Sequence, residues 1–374
     1  MDFTLSEDHR LLKDMIARFV REKYDFETRD KIYKSDLGYS RDHWAQMAEL
    51  GLIGAVLPER VGGFGGTPID IMVVMEELGR GIVIEPFVAT AILGAGLLAD
   101  ERAGGAGPGL LDDVIAGGRL LAFAHYEPGA RYNAARIAAS LAADGDGYRL
   151  TGAKSVVING GEADTLIVSA RLPDGGTALV LVPGDGDGVA RRAYPTVDGS
   201  RGAEITFENV AVPADHVLMT GGAADDAIGE TLARGAFALS AEALGAMENA
   251  RDATLDYLRT RTQFGVPIGK FQALQHRMVD VCTEIEQARS IVLTATTAFG
   301  KPAGERDRLI SAAKSLVGRV GRLVAEEAVQ MHGGIGVTWE YSVAHVAKRL
   351  VMIDHYFGDT DYHLKRFTKL SRAA

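Results

Sequence analysis

The feature that most constrains the fold is a change in hydrophobic period along the chain. From residue 1 to about 115, apolar residues recur every three to four positions, as on one face of a helix. From about 120 to 218, short alternating or β-branched runs are separated by turn residues, and from about 223 long helical patterns return. The middle part therefore predicts a small antiparallel sandwich or barrel, flanked by helical parts.

A chain of 374 residues is too long for one small core, so we predict an α+β protein of three domains. They are an N-terminal α-helical domain over 1–117, a middle β domain over 118–222 and a C-terminal domain over 223–374. The last domain is predicted to be an antiparallel four-helix bundle, because its long helical stretches have short connections. Those stretches are Phe237 to Leu258, Met278 to Thr296, Arg308 to Met331 and Val343 to Met352.

Composition excludes several classes of function. The net charge of -10 argues against a nucleic-acid partner, which needs a basic face. No apolar run approaches the ~20 residues of a membrane span, and Glu7 and Asp8 stand where a signal peptide is basic. The single cysteine, Cys282, fits a reducing cytoplasm, and no spacing of His and Cys predicts a metal site.

An irregular turn from Arg261 to Arg277 interrupts two of the helical patterns and concentrates groups suited to a phosphate-bearing cofactor. Arg261 supplies a guanidinium that can fork onto a pyrophosphate, and Phe264-Gly265 supplies an aromatic ring and close backbone approach. The alternative is an ordinary helix-helix loop with solvated polar residues. Amide donors and acceptors come from Gln263, Gln272 and Gln275.

Several motifs together resemble the acyl-CoA dehydrogenase family over essentially the whole chain. They are R-x-x-F-G from Arg261, Q-x-x-G-G-x-G from Gln330, PERVGGFGG from Pro58, Glu127-Pro128-Gly129, Gly152-x-Lys154 and Asn159-Gly160-Gly161. The sequence is most similar to small subunits of bacterial heteromeric members, such as the pimeloyl-CoA dehydrogenase small subunit. The resemblance implies the family's helical, β and four-helix-bundle domains and FAD-dependent α,β-desaturation of an acyl-CoA thioester in fatty acid or steroid side-chain degradation.

The resemblance also implies which residues contact FAD. In family tetramers, several residues of the C-terminal domain reach across an interface to the ADP part of a neighbouring subunit's FAD. The corresponding residues here are Arg261, Gln272, Gln330, Gly333 and Gly334. Gln263 and Phe264 are further cofactor-binding candidates, and so is Thr360, whose counterpart in the family contacts the FAD of its own subunit.

The catalytic glutamate of the family is absent from both of its usual positions. One position holds Gly358, and the other, on the first helix of the bundle, falls at Gly235. Asp359, one residue after Gly358, is the remaining candidate base. Its alternative is a helix-capping or turn aspartate.

The motifs that hold the flavin ring in the family also differ. Arg131-Tyr132-Asn133 replaces a Gly-Ser-Asp motif, and Val156-Val157-Ile158 replaces a Trp-Ile-Thr motif, so hydrogen-bond donors to the ring are lost. Tyr126, Arg131 and Tyr132 are candidates for lining the substrate pocket, with packing on the surface of the β domain as the alternative.

Three hypotheses follow. In the first, the chain is a subunit of a heteromeric acyl-CoA dehydrogenase, donates FAD contacts, and relies on a homologous partner for the base. In the second, it is a self-sufficient homo-oligomeric flavoenzyme with Asp359 as base. In the third, it is a non-catalytic scaffold that binds acyl-CoA or a partner. For either enzyme, electron-transfer flavoprotein is the expected electron acceptor.

Overall fold

The computed structural model describes residues 5–373, so the first four residues of the predicted N-terminal domain and residue 374 of the C-terminal domain lie outside it. The order of elements is helices, then strands, then helices, which confirms the predicted fold class. The chain divides into two compact units. Unit 1 comprises Met1–Asp30, Pro68–Val83 and Ala236–Ala374, and unit 2 comprises Lys31–Thr67 and Ile84–Gly235.

Helices fill the N-terminal part, as the period of its apolar residues predicts. Ser6 caps the first helix by accepting a hydrogen bond from the backbone N–H of His9 at 3.2 Å. Ile16 and Phe19 are buried on one face of that helix. The bounds are α1 Glu7–Lys23, α2 Phe26–Tyr33, α3 Arg41–Glu49, α4 Leu52–Ala55, α5 Pro68–Arg80, a π-helical segment Val88–Gly94 that runs into α6 Ala95–Leu98, and α7 Leu111–Ile115.

The strands that follow join in one sheet with the order β6-β7-β3-β2-β4-β5-β8, and β1 pairs with β4. The pairing is antiparallel, as predicted, except at β4, which pairs in parallel with β2 at Arg171 opposite Ser140. It also runs parallel to β1, with Leu121 opposite Thr165. A long connection separates these two strands, and such a crossover permits parallel pairing. The bounds are β1 Leu121–Ala124, β2 Ser140–Asp144, β3 Gly147–Ile158, β4 Thr165–Arg171, β5 Thr177–Pro183, β6 Val189–Pro195, β7 Arg201–Val212 and β8 Val217–Thr220.

Two strands, β2 and β6, differ from what the apolar pattern alone predicts. A run over 136–141 resembles a strand, but β2 begins only at Ser140. The carboxylate of Glu127 accepts hydrogen bonds from the N–H groups of Ala138 at 2.7 Å and Ala139 at 3.0 Å, so these amides are not free to pair with another strand. The apolar pattern does not predict strand β6, because most of its residues are exposed.

The C-terminal part contains long helices, and α10 packs against α9, α11 and α12. The helix α12 is a fifth helix, in addition to the four long helices that the sequence predicts. The turn from Arg261 to Arg277 contains a short hairpin of β9 and β10. The bounds are α8 Gly221–Thr260, β9 Thr262–Gln263, β10 Val266–Pro267, α9 Gln272–Thr296, α10 Ala303–His332, α11 Ser342–His355 and α12 Thr360–Ala373.

Within residues 5–373, none of the helices combines the length and the apolar character that crossing a membrane would require.

Candidate functional site

The tip of the β9-β10 hairpin presents an aromatic ring to solvent. Phe264 and Gly265 form its two-residue loop, and both have positive φ angles, 54° and 79°. This conformation matches the twist of a tight hairpin and costs little at glycine. The Phe264 side chain is 91% exposed, and its ring packs edge-on against Phe271 with 6.0 Å between centroids. The hairpin therefore holds the Phe264 ring exposed to solvent.

Arg261 lies at the base of this hairpin, with its backbone held by hydrogen bonds and its side chain exposed. Its N–H donates to the carbonyl of Tyr257, and its own carbonyl accepts from the N–H of Ile268, both at 2.8 Å. The exposed guanidinium makes no hydrogen bond or ion pair with any residue of the 5–373 range. The same holds for the side-chain amides of Gln263 and Gln272 within that range. These donors are available to a ligand.

The end of α10 supplies a second group of ligand-accessible atoms. Gln330 is exposed in the last turn of the helix, and Gly333 follows it with a φ of 66°. A Cβ atom added at Gly333 or Gly334 would meet no atom within 4 Å, so the backbone there is open to close approach. The ring of His332 stacks on Tyr257 at 4.5 Å, which ties the end of α10 to the end of α8 just before Arg261.

These residues fit the ADP portion of FAD. A guanidinium suits a pyrophosphate because its planar fork can make two parallel hydrogen bonds. The amides can bind the polar edge of an adenine, and the unobstructed glycines permit contact with the backbone. The observation that supports this fit is that the Arg261 side chain is exposed and has no partner among the residues that the structure describes.

The loop before α12 contains both Gly358 and the candidate base Asp359. Asp359 Oδ1 accepts a hydrogen bond from the N–H of Tyr362 at 2.8 Å, which is the contact of a helix N-cap. The Thr360 hydroxyl donates to Asp354 Oδ1 at 2.8 Å. The carboxylate of Asp359 therefore has a structural role, and the capping interpretation accounts for its position.

Gly358 is buried, and its surroundings leave no room for a side chain. Its φ angle is 116°, which L-amino acids rarely adopt. A Cβ atom there would lie 2.6 Å from Nε2 of His363 and would also collide with the Tyr362 ring. A glutamate side chain therefore does not fit at this position, which carries a glutamate in the family.

A buried network that the sequence analysis did not identify holds this loop. Lys314 is fully buried, and its Nζ donates to the carbonyls of Ile353, Asp354 and Gly358 at 2.9, 3.0 and 2.9 Å. Burial lowers the pKa of Lys314 to about 8. The available signal is a lysine in an apolar stretch of α10, and this signal indicates burial but not its partners.

His363 completes the network. Burial lowers the pKa of this histidine to about 3, so its ring is neutral near pH 7. A neutral ring can donate from Nε2 to the Phe357 carbonyl, 3.1 Å away, and accept at Nδ1 from the Ser311 hydroxyl, also 3.1 Å away. Phe357 has a positive φ of 59°, and these contacts hold it there.

The second base position offers no carboxylate either. Gly235 is buried within α8, between Arg234 and Ala236. The nearest preceding carboxylate, Glu230, pairs with Arg102, with 2.6 Å between Oε2 and Nη2.

A buried ion pair braces the start of the β domain. Lys154 Nζ donates to Glu127 Oε1 at 2.7 Å, to the His125 carbonyl at 3.0 Å and to the Ser169 hydroxyl at 3.1 Å. Burial lowers the pKa of Lys154 to about 8. Burial by itself raises the pKa of Glu127, but hydrogen bonds from Lys154 and from two backbone amides lower it below its ordinary value. This pair fixes the loop that carries the candidate pocket residues.

Strand β3 departs from regular geometry where the family contacts the flavin ring. The register with β7 shifts between Lys154 and Val157, and Val156 has a φ of 53°. A positive φ is a clear outlier for a β-branched residue. The Val156 side chain is half exposed, and neither it nor Val157 or Ile158 can donate a hydrogen bond. These side chains therefore do not fit the polar edge of an isoalloxazine ring.

The candidate pocket residues lie nearby in unit 2. The Tyr126 carbonyl accepts a hydrogen bond from the N–H of Ser155 at 2.8 Å. The Arg131 guanidinium is 6.0 Å from the centre of the Tyr132 ring, and Arg131 has a φ of 52°. Their assignment to a substrate pocket stays a prediction.

Three family profiles match the chain along its length. They are acyl-CoA dehydrogenase, N-terminal domain, over residues 6–100, the middle domain over 122–210, and the C-terminal domain over 226–369. Probable acyl-CoA dehydrogenase YngJ of Bacillus subtilis is 30% identical, with 93% of each chain covered. Acyl-CoA dehydrogenase IpdE2 of Mycolicibacterium smegmatis is 29% identical, with 92% of this chain and 93% of the relative covered.

Solved structures agree over nearly the full length. A variant of the Tcur3481-Tcur3483 steroid ACAD is 30% identical with a TM-score of 0.87, and 99% of each chain is covered. The ChsE4-ChsE5 complex from Mycobacterium tuberculosis is 26% identical with a TM-score of 0.90 and full coverage of both chains. A chain from a study of the electron transferring flavoprotein of Acidaminococcus fermentans is 29% identical with a TM-score of 0.89, and 99% of each chain is covered.

Proposed function

Because this chain belongs to the FAD-dependent acyl-CoA dehydrogenase family, whose members act on the CH–CH bond of acyl-CoA thioesters, we propose that it is one subunit of a heteromeric enzyme. It contributes contacts to the ADP portion of an FAD, and a homologous partner contributes the ring pocket and the base. The observation that carries this proposal is a contrast within the described residues 5–373: the Arg261 guanidinium is unpaired there, whereas the surroundings of Gly358 leave no room for a side chain.

The absence of a base at Gly358 and Gly235 supports the proposal that a partner subunit supplies it. Removal of a weakly acidic α-proton needs a carboxylate that can point at the substrate. Gly358 and Gly235 carry none, and Asp359 caps α12 through Tyr362. A homologous subunit with a glutamate at either position would supply the group that this chain lacks.

The residues at the family's flavin-ring position support the same assignment of the ring pocket to the partner subunit. A flavin supplies hydride acceptance when it is bound, and the protein has to position and polarise it. The side chains of Val156, Val157 and Ile158 offer apolar contact only. In contrast, Arg261, Gln272 and Gln330 keep their donors exposed, as contacts to a cofactor shared between subunits require.

Similar proteins include complexes of unlike subunits. The names ChsE4-ChsE5 and Tcur3481-Tcur3483 each pair two chains, and the second is described as a steroid ACAD. We extend this arrangement to the present chain and place the complex in the cytoplasm, with electron-transfer flavoprotein as the acceptor. A bulky acyl group, such as a steroid side chain, is the corresponding substrate class.

The test is to purify the chain alone and then together with a homologous acyl-CoA dehydrogenase subunit. We expect little bound flavin alone, and stoichiometric FAD with acyl-CoA-dependent flavin bleaching in the complex. Arg261→Ala should lower FAD retention by the complex, whereas Arg322→Ala, at an exposed site on α10, is the matched control.

Two results would contradict the proposal. A homo-oligomer with stoichiometric FAD and turnover would establish the self-sufficient enzyme instead. Saturable acyl-CoA binding without electron transfer, both alone and with every homologous subunit, would establish the scaffold.

A further inference from the structure

A cavity of about 350 Å³ in unit 2 is lined in part by the guanidinium of Arg234. We call it the Arg234 cavity. Its wall combines charged side chains with small apolar ones. The lining residues are Pro58, Arg60, Gly96, Ala99, Asp100, Glu101, Arg102, Glu230 and Arg234.

Two of the three arginines in this wall are already neutralised. Arg102 binds Asp100 through Nε–Oδ1 at 2.8 Å and Nη2–Oδ2 at 2.5 Å, and it binds Glu230 Oε2 at 2.6 Å. Arg60 pairs with Glu101, with 3.4 Å between Nε and Oε1. It also donates to the Ala99 carbonyl. The acidic side chains of the cavity are thus engaged by Arg60 and Arg102.

Arg234 differs from both. It is partly buried, and it makes no hydrogen bond or ion pair with any residue between 5 and 373. Asp100 and Glu230 affect it only through longer-range attraction, and burial lowers its pKa below the ordinary value for arginine. The guanidinium packs against Gly96, where an added Cβ would lie 2.5 Å from Nη1. A partly buried cation without a direct partner is costly, and a bound anion would remove that cost.

We propose that the Arg234 cavity binds the carboxylate of a small organic acid, with the Arg234 guanidinium as its counter-ion. A carboxylate matches the planar fork of a guanidinium and can accept two parallel hydrogen bonds. Asp100 and Glu230 nearby disfavour a doubly charged phosphate more than a singly charged carboxylate. Pro58 and Ala99 offer apolar contact to a short carbon chain.

The carboxylate has two chemical sources, a free acid or the far end of a carboxyacyl-CoA. Titration calorimetry on the full-length chain at pH 7 and low salt separates them. The free-acid probe is adipate, with adipamide as its uncharged match. The thioester probes are adipoyl-CoA and hexanoyl-CoA, which share a six-carbon acyl chain and differ in the terminal carboxylate.

Arg234→Gln removes the charge, and we expect it to weaken binding of adipate, or of adipoyl-CoA but not hexanoyl-CoA, by about tenfold or more. Gly96→Ala pushes the guanidinium aside without removing it and should weaken the same probe by a smaller factor. Arg60→Gln alters an arginine of the same wall that is already paired, and it should leave the affinity within about twofold.

Folding of each variant is verified by its melting temperature. The proposal is overturned when adipate binds no better than adipamide and adipoyl-CoA binds no better than hexanoyl-CoA. It is also overturned when Arg234→Gln and Gly96→Ala both leave the affinities unchanged. Because these measurements use the chain without a partner and follow binding alone, their outcome is independent of the proposed subunit role.

Discussion

A Cβ atom at Gly358 would lie 2.6 Å from Nε2 of His363, which is closer than real Cβ contacts come. The histidine is held in place by the Phe357 carbonyl and the Ser311 hydroxyl, each 3.1 Å from a ring nitrogen. Neighbouring side chains therefore occupy the space in which a side chain at position 358 would begin. The packing of α12 against α10 does not admit a glutamate at this position.

Restoring the glutamate should fail for this reason. Gly358→Glu combines an unfavourable φ of 116° with a steric collision, and we expect a loss of about 3 kcal/mol in unfolding free energy and no gain of flavin reduction. Gly358→Ala should lose a similar amount, because the collision begins at Cβ. Gly300→Ala is the control, since Gly300 also has a positive φ, of 82°, but open space around it. A Gly358→Glu variant that is as stable as the wild type and reduces flavin would contradict this prediction.

The capping role of Asp359 separates two substitutions that both remove its charge. Asparagine keeps an oxygen that can accept from the N–H of Tyr362, whereas alanine does not. We expect Asp359→Ala to cost about 1 kcal/mol and Asp359→Asn only a few tenths, measured by denaturant unfolding. We also expect the Asp359→Asn variant to keep full activity in the assembled complex. If Asp359→Asn abolishes turnover while its stability is unchanged, Asp359 is a base after all.

His363 should make stability fall in acid. Its pKa is about 3 in the folded chain and 6.5 as its ordinary value, so between these pH values the unfolded chain binds more protons. Stability from this group is then present above pH 6.5 and is lost as the pH falls towards 3, by at most about 1.4 kcal/mol per pH unit. Melting curves of His363→Gln between pH 7 and pH 4 should show a shallower decline than the wild type. His276→Gln, at an exposed position, should follow the wild-type curve.

The Lys154–Glu127 pair should be sensitive to the loss of one partner. Lys154→Met leaves the carboxylate of Glu127 buried without its counter-ion, and we expect a loss of about 3–5 kcal/mol. Replacing both, as Lys154→Met with Glu127→Gln, should recover part of this loss. Arg149→Met breaks an ion pair with Asp144 at the surface and should cost less than about 1 kcal/mol. Equal melting temperatures for Lys154→Met and Arg149→Met would refute the importance of the buried pair.

The order of helical and β parts could be predicted because hydrophobic periodicity is a local property. Ser6, for example, belongs to the residue types that favour N-caps, and it caps α1 just before the apolar pattern begins. The start of β2 could not be predicted, because it depends on Glu127 binding the amides of Ala138 and Ala139 across a loop. The parallel pairing of β1 with β4 likewise joins residues far apart in sequence.

The candidate site divides in the same way. Residue identity alone shows which groups are present: the guanidinium of Arg261, the glycines after Gln330, and the absence of a glutamate at positions 358 and 235. Their pairing and surroundings depend on the fold. Within residues 5–373 the Arg261 and Arg234 side chains are unpaired, and His363 fills the space beside Gly358. Residue type sets the chemistry available to a side chain, whereas pairing, burial and free space depend on which distant residues the fold brings beside it.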